Sequence, residues 1–385
     1  MDANERVMLA WSKDAHVWVS SSSDGASWAS PVQIDDATSR AGLTGLAMNA
    51  SGMAALVWHA EESTGDYFKA RLYSPLTGWN ASAQFLDGLT ADGTGGAVAV
   101  NDSGDVMAVF SRYDASGHVW ARSYTEASGW SPAATRLDTL SGYSNYPDVA
   151  LAGDGNATAV WEQWDGARNQ ALARRYSAGS GWDATPTELD GSSDPSIDKI
   201  RLALGADGDG LAHWTLADRT GLMARRLVSG SWQATETVAT GTSIYKSDAR
   251  IAPDGRIVQT WVNDRNVYAR INVGGVWDAA TTLVSDDTET VGLRSSVMAM
   301  DRTNGRVIVM WTRLALDDAD GSAVWARRYD PVSGWSAVEQ VVPWTPGILY
   351  DVDAVVLHDD GRVLAVLAGE DVSVWEYSTY LISYR

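Results

Sequence analysis

Seventeen of the nineteen tryptophans in this chain recur on one pattern of about fifty residues. A fixed period of that length means that a single supersecondary unit is repeated, so the unit has to be read before any single residue. Aligned on a Gly-Trp or Ser-Trp step, with Val276-Trp277 in the sixth, its copies carry Trp28, Trp79, Trp130, Trp182, Trp232, Trp277 and Trp335. Upstream of each lies an apolar run ending in an aromatic: Trp11, Trp58, Phe110, Trp161, Trp214, Trp261 and Trp311. A third run between the two holds Trp18, Trp120, Trp325 and Trp375. Only Trp164 and Trp344 fall outside the pattern.

The third copy shows how the unit folds. Ala97 to Asn101 alternates in polarity, Asp102-Ser103-Gly104 follows as a turn, and Asp105 to Ser111 is nearly all apolar. Asp-Gly and Asn-Gly steps recur at this turn, as at 154–155, 207–208, 254–255, 304–305 and 360–361. They supply the positive φ angles of tight hairpins, so each copy opens with antiparallel strands a and b. A continuous apolar run fits a strand b covered on both faces. Strand c is expected at Val119 to Tyr124, and strand d at Ala133 to Asp138 after the Gly129-Trp130 turn. Four short strands per fifty residues, with no helical period, predict an all-β fold of the β-propeller type. Strands b and c each occur eight times, which predicts eight blades, with seven and an unusual closing blade as the alternative. The first copy lacks strand a, leaving either missing residues before Met1 or an irregular closure, and Tyr380 to Arg385 is read as a last strand d.

Unbroken repetition argues for one domain over residues 1–385 without a linker. No run of eighteen apolar residues occurs, so no membrane insertion is expected, and Met1 to Arg6 does not open a secretory signal. Absence of cysteine excludes disulfides, thiolate metal sites and thiol nucleophiles. A net charge of −20 repels phosphate, which sets nucleic acid aside as a partner. A monomer is expected.

The stretch Ser21-Ser22-Ser23-Asp24-Gly25-Ala26-Ser27-Trp28 resembles the Asp-box of sialidase-like propellers, with Ser23 where that family has Asp. In whole-repeat spacing the chain is similar to the propeller repeats of secreted bacterial proteins and bacterial propeller lectins. The resemblance implies a structural role for these turns and a secreted or cell-surface location. Sialidase catalysis is not implied, because the Arg-Ile-Pro motif is absent and the nearest string is Arg250-Ile251-Ala252-Pro253.

Arginine follows alanine in strand c at Arg71, Arg122, Arg174, Arg225, Arg270 and Arg327, and a feature of nearly every copy reads as scaffold. Its expected partners are aspartates closing strand d: Asp36, Asp87, Asp138 and Asp190. The five histidines share no ligand spacing. Asp317, Asp318 and Asp320 before Gly321 look like a calcium loop but lack its first and last ligands, so no cofactor is expected, with calcium the one candidate.

The b–c and d–a connections vary, whereas the Asp-Gly and Gly-Trp turns are uniform. Variable loops on a rigid scaffold are where binding resides. Acidic residues recur there as Asp14, Glu61, Asp114, Asp165, Asp218 and Asp264, a set that would favour a cation or simple solubility. Trp164 and Trp344 are expected in these loops, more exposed than the repeat tryptophans, with Tyr113, Tyr143, Tyr146 and Tyr350 nearby. An aromatic ring beside carboxylate and amide groups is what a pyranose needs. Trp164, Trp344, Tyr113, Glu162 and Asp165 are therefore the candidate ligand-binding residues, for a carbohydrate or a protein. The alternatives are a glycoside hydrolase or lyase using two carboxylates from separate blades, for example Glu162 and Asp165 with partners near the axis, and a purely structural interaction module.

Overall fold

The computed structural model describes residues 1–36, 40–88, 92–113, 116–139, 142–191, 194–285, 292–315, 321–371 and 376–384. Asp114, Asp317, Asp318, Asp320 and Trp375 lie outside the described residues. The chain divides into two compact units, residues 1–217 with 225–235, and residues 218–224 with 236–385. Among the described residues there is no helix, and so none long and apolar enough to cross a membrane.

Eight antiparallel sheets follow one another along the chain, each a blade of the predicted propeller repeat. Blade four is representative: strand a is Ser144–Leu151, strand b is Ala157–Trp164, strand c is Asn169–Ser177, and strand d is reduced to Gly181–Trp182 and Thr187–Glu188. Strand b is covered on both faces, as its apolar run requires, and Trp58, Trp161, Trp214 and Trp311 are fully buried there. The seven tryptophans of the series Trp28, Trp79, Trp130, Trp182, Trp232, Trp277 and Trp335 are half-buried. Four of them lean on a strand c tyrosine with ring centroids 5.3–5.5 Å apart, namely Tyr73–Trp79, Tyr124–Trp130, Tyr176–Trp182 and Tyr329–Trp335.

Blade one consists of Val7–Lys13, His16–Ser22 and Val32–Gln33, as the missing strand a predicts. Blade eight differs from expectation. Its described strands are Ile348–Leu357, Val363–Asp371 and Glu376–Tyr384, and the last pairs with strand b from Asp371↔Glu376 to Val363↔Tyr384. The segment read as a strand d is therefore the far half of strand c.

The repeated arginines are scaffold, but their partners are carbonyls and not the strand d carboxylates. Arg174 donates from Nε to the Asp183 carbonyl (2.7 Å), just past Trp182, and from Nη1 to the Leu137 carbonyl of blade three (2.8 Å). Arg270 repeats this on Asp278 and Val238, both at 2.8 Å, and Arg327 on Ser336 and Leu283, both at 2.7 Å. Strand d breaks away from the ladder after its Trp, and the planar guanidinium satisfies carbonyls left there and on the preceding blade. Where a second arginine follows, it reaches forward: Arg175 Nη1 donates to the Gly230 carbonyl (2.6 Å) and Arg328 Nη1 to the Gly361 carbonyl (2.7 Å).

The aspartates instead accept an early backbone N–H of their own strand c. Val119 N donates to Asp138 (3.0 Å) and Ala171 N to Asp190 (2.9 Å). In blade one this residue is Asp35, which accepts from Val17 N at 2.7 Å, while Asp36 binds Lys69 Nζ at 2.9 Å. His16 and His118 bind the same carboxylates at 3.0 and 2.9 Å, giving both histidines a structural role. In the turn after strand c of blade one, Asp24 Oδ1 accepts from Ala26 N (2.8 Å) and Ser27 N (2.7 Å), and these amides hold its carboxyl at about 2.

Candidate functional site

Asp14, Asp165, Asp218 and Asp264 owe their position to turn chemistry, whereas Glu61 lies within strand b of blade two, Ala54–Glu62. In the first unit Asp14 has φ 52° in a two-residue turn, and Asp165 caps its own hairpin by accepting from Ala167 N (2.7 Å) and Arg168 N (2.9 Å). Those amides pull the Asp165 carboxyl below the usual range. In the second unit Asp218 accepts from Thr220 N (3.0 Å), and Asp264 has φ 56°. Asp and Asn tolerate or cap such turns better than other residues, which accounts for their recurrence without a ligand.

Blade four departs from this economy. Its b–c connection is four residues long, Asp165 to Arg168, because the last ladder pair is Trp164↔Asn169. The hairpin walls a cavity of about 620 Å³ together with the segment leading from blade three and strand d of blade four. Trp164 is 39% exposed there, and Tyr143, also exposed, lines the same space. Asp165, Gln170, Glu188, Thr139 and Thr185 also line the cavity, and Gln170 Nε2 donates to Asp165 Oδ2 at 3.0 Å. Arg168 supports the wall from behind, donating to Glu188 (2.9 Å), the Gly191 carbonyl (2.8 Å) and Asp190. Burial, and next the charge of Asp190, push the Glu188 carboxyl up.

Backbone contacts hold the platform in place. Trp164 N donates to the Tyr143 carbonyl at 2.8 Å, and Gln163 Nε2 to the Gly142 carbonyl at 3.3 Å. Only glycine fits at Gly142, since any Cβ would collide with the Trp164 carbonyl. Tyr113 lies behind Tyr143, with ring centroids 5.8 Å apart, and its hydroxyl donates to Asn145 Oδ1.

Of the five candidate residues, Trp164 and Asp165 share this cavity and Tyr113 supports its rim. Glu162 does not line it. Like Trp164 two residues on, it lies on the strand face opposite Gln163, and its carboxyl accepts from Lys199 N at 3.3 Å. It is only 5% exposed, and burial pushes its pKa up to about 7. Of the two carboxylates offered for catalysis, only Asp165 lines this cavity.

Trp344 belongs to the second unit and is half-buried like the repeat tryptophans, against expectation. Its segment is not a loop but strand d of blade seven, Glu339–Thr345, pairing Val342 with Val324 and Thr345 with Ser322. The ladder shifts register there, and Pro343 is tolerated at such an irregularity. Tyr350 is buried in strand a of blade eight. Gln170, Glu188 and Gly142 were not singled out by sequence reasoning. The length of the b–c connection was the available signal for this blade.

A second groove, of about 560 Å³, occupies a similar place in blade six, whose strands are Ile244–Ile251, Ile257–Asn263 and Asn266–Val273. It is lined by Trp261, Asn263, Tyr268 and Arg270, and by Thr237 and Thr240 of the preceding strand d. Trp261 is buried and stacks on Tyr268 at 6.1 Å. Its b–c connection is a two-residue turn, Asn263↔Asn266 being the last pair.

No family model matches the chain, and no curated protein does. Among solved structures it is similar to the Dos1 propeller, with 9% identity and a TM-score of 0.56 over 94% of this chain and 86% of that one. It is also similar to polysaccharide lyase Uly1 (11%, TM-score 0.52, 81% and 85% covered) and to an ulvan lyase bound to -[GlcA(1-4)Rha3S]- (11%, TM-score 0.51, 89% and 90% covered). At these identities the likeness concerns the fold: the chain is a β-propeller with eight blades.

Proposed function

We propose that the protein is a carbohydrate-recognition propeller, secreted or displayed at a cell surface, that holds a glycan in the blade-four cavity through Trp164. The observation that carries this reading is an exposed tryptophan, Trp164, that lines one space of sugar size with Tyr143, Gln170, Asp165 and Glu188. Aromatic faces pack on the C–H face of a pyranose, and fixed amide and carboxylate groups select its hydroxyls. The fold shared with polysaccharide lyases is compatible with a glycan ligand, and the Asp24 turn supports kinship with Asp-box scaffolds.

A glycan array probed with the intact chain, followed by titration of the best hit, tests the proposal. Trp164→Ala should weaken binding at least 50-fold while leaving the Tm within the range of a surface substitution. Prolonged incubation should leave the bound glycan intact. Unchanged affinity in Trp164→Ala would move the reading to a protein partner, and accumulating cleavage products would move it to an enzyme.

A further inference from the structure

Charge in the blade-four cavity narrows the ligand class. Three carboxylates, Asp165, Glu188 and Asp190, surround a single cation, Arg168, whose side chain is largely buried. Its guanidinium is turned to Glu188, Asp190 and the Gly191 carbonyl, and its Nε lies 3.9 Å from Asp165. Among the described residues, no arginine or lysine lines the cavity. An incoming carboxylate or sulfate would thus meet two lining carboxylates, Asp165 and Glu188, and no uncommitted cation, on a chain of net charge −20. Taking such an anion out of water without a partner is strongly unfavourable. Sugar hydroxyls face the opposite situation, because ionised carboxylates are strong acceptors for O–H donors and the Gln170 amide can serve the ring or glycosidic oxygens.

We infer that the cavity takes glycans without acidic groups and rejects uronates, sialosides and sulfated sugars. This inference rests on the carbohydrate reading above and deepens it. It also separates this cavity from the acidic sugar bound by the ulvan lyase, with which the chain shares its fold. Asp165 strengthens the argument, since the turn amides hold its carboxyl below the usual carboxylate range.

The test is a fluorescence titration of the intact protein and Trp164→Phe. The probes are galacto-, gluco- and manno-oligosaccharides, set against oligogalacturonate, sialyllactose and a sulfated galactan oligosaccharide. A neutral glycan should give a signal that Trp164→Phe alters, and its acidic counterpart should bind at least tenfold more weakly. The gap should narrow in 0.5 M salt and in the double variant Asp165→Asn, Glu188→Gln. Trp164-dependent binding of an acidic glycan as tight as its neutral partner would overturn the charge inference and leave the carbohydrate reading standing. If no probe gives a Trp164-dependent signal, both fall.

Discussion

The grooves of blades four and six come from the same repeat, and their differences show how a scaffold is turned into a site. Strand b reads Trp161-Glu162-Gln163-Trp164 in one and Trp261-Val262-Asn263-Asp264 in the other. The first tryptophan of each is buried core. At the fourth position a tight turn in blade six asks for a left-handed residue and obtains Asp264, whereas blade four continues its ladder to Trp164 and needs no such residue. Two extra residues of hairpin thus convert a turn position into a platform. Blade six keeps its aromatics inside, with Tyr268 stacked on Trp261 where blade four has Leu172 opposite Trp161.

Removing one tryptophan from each groove gives the largest contrast. Trp261→Ala should cost about 3–5 kcal/mol of stability, as buried aromatic truncations do, and Trp164→Ala about 1 kcal/mol or less. Urea denaturation of both variants checks this. Equal losses would mean that Trp164 is core and that the comparison fails.

The second position sharpens it through pH. Blade six has buried Val262 where blade four has buried Glu162, whose pKa is pushed from 4.5 to about 7 by burial, with Asp198 adding to the shift. In the unfolded chain the carboxyl ionises near pH 4.3, so the folded state alone holds the proton between there and pH 7. Stability attached to this residue should be fully present below about pH 4 and fall as pH rises towards 7. It should change no further above that. Glu162→Gln keeps an acceptor for Lys199 N and should gain up to about 3 kcal/mol at pH 8, with little change at pH 4. Tm measured across this range checks it, and parallel profiles for the two proteins would refute the burial argument.

The smallest effect concerns the glycines entering each blade. A Cβ at Gly142 meets the Trp164 backbone carbonyl, and a Cβ at Gly241 meets the side chains of Asn263 and Ile244. Gly142→Ala should therefore cost about 1–3 kcal/mol by overpacking and loosen the Trp164 platform. Gly241→Ala should cost less, since side chains can turn away. Thermal unfolding of the pair, with Trp164 fluorescence as a second readout, decides between them.

Period, strand order and blade count were legible in the residues, because local rules dictate them. Alternation makes strands, Asp-Gly makes tight turns, and continuous apolar runs make covered strands. The scaffold role of the strand c arginines was legible from their repetition, but their carbonyl partners were not, since those depend on where strand d leaves its ladder. Trp164 was separable from the repeat by spacing alone. The same argument failed for Trp344, because register between strands c and d of blade seven, and not sequence distance, placed it in a sheet. Assembly of Gln170, Glu188 and Gly142 around Trp164 was likewise decided by tertiary structure. Spacing along one chain orders strands within a blade, but which side chains meet across a groove depends on strand register, on alternation between faces and on hairpin length, and these are settled only when neighbouring blades pack.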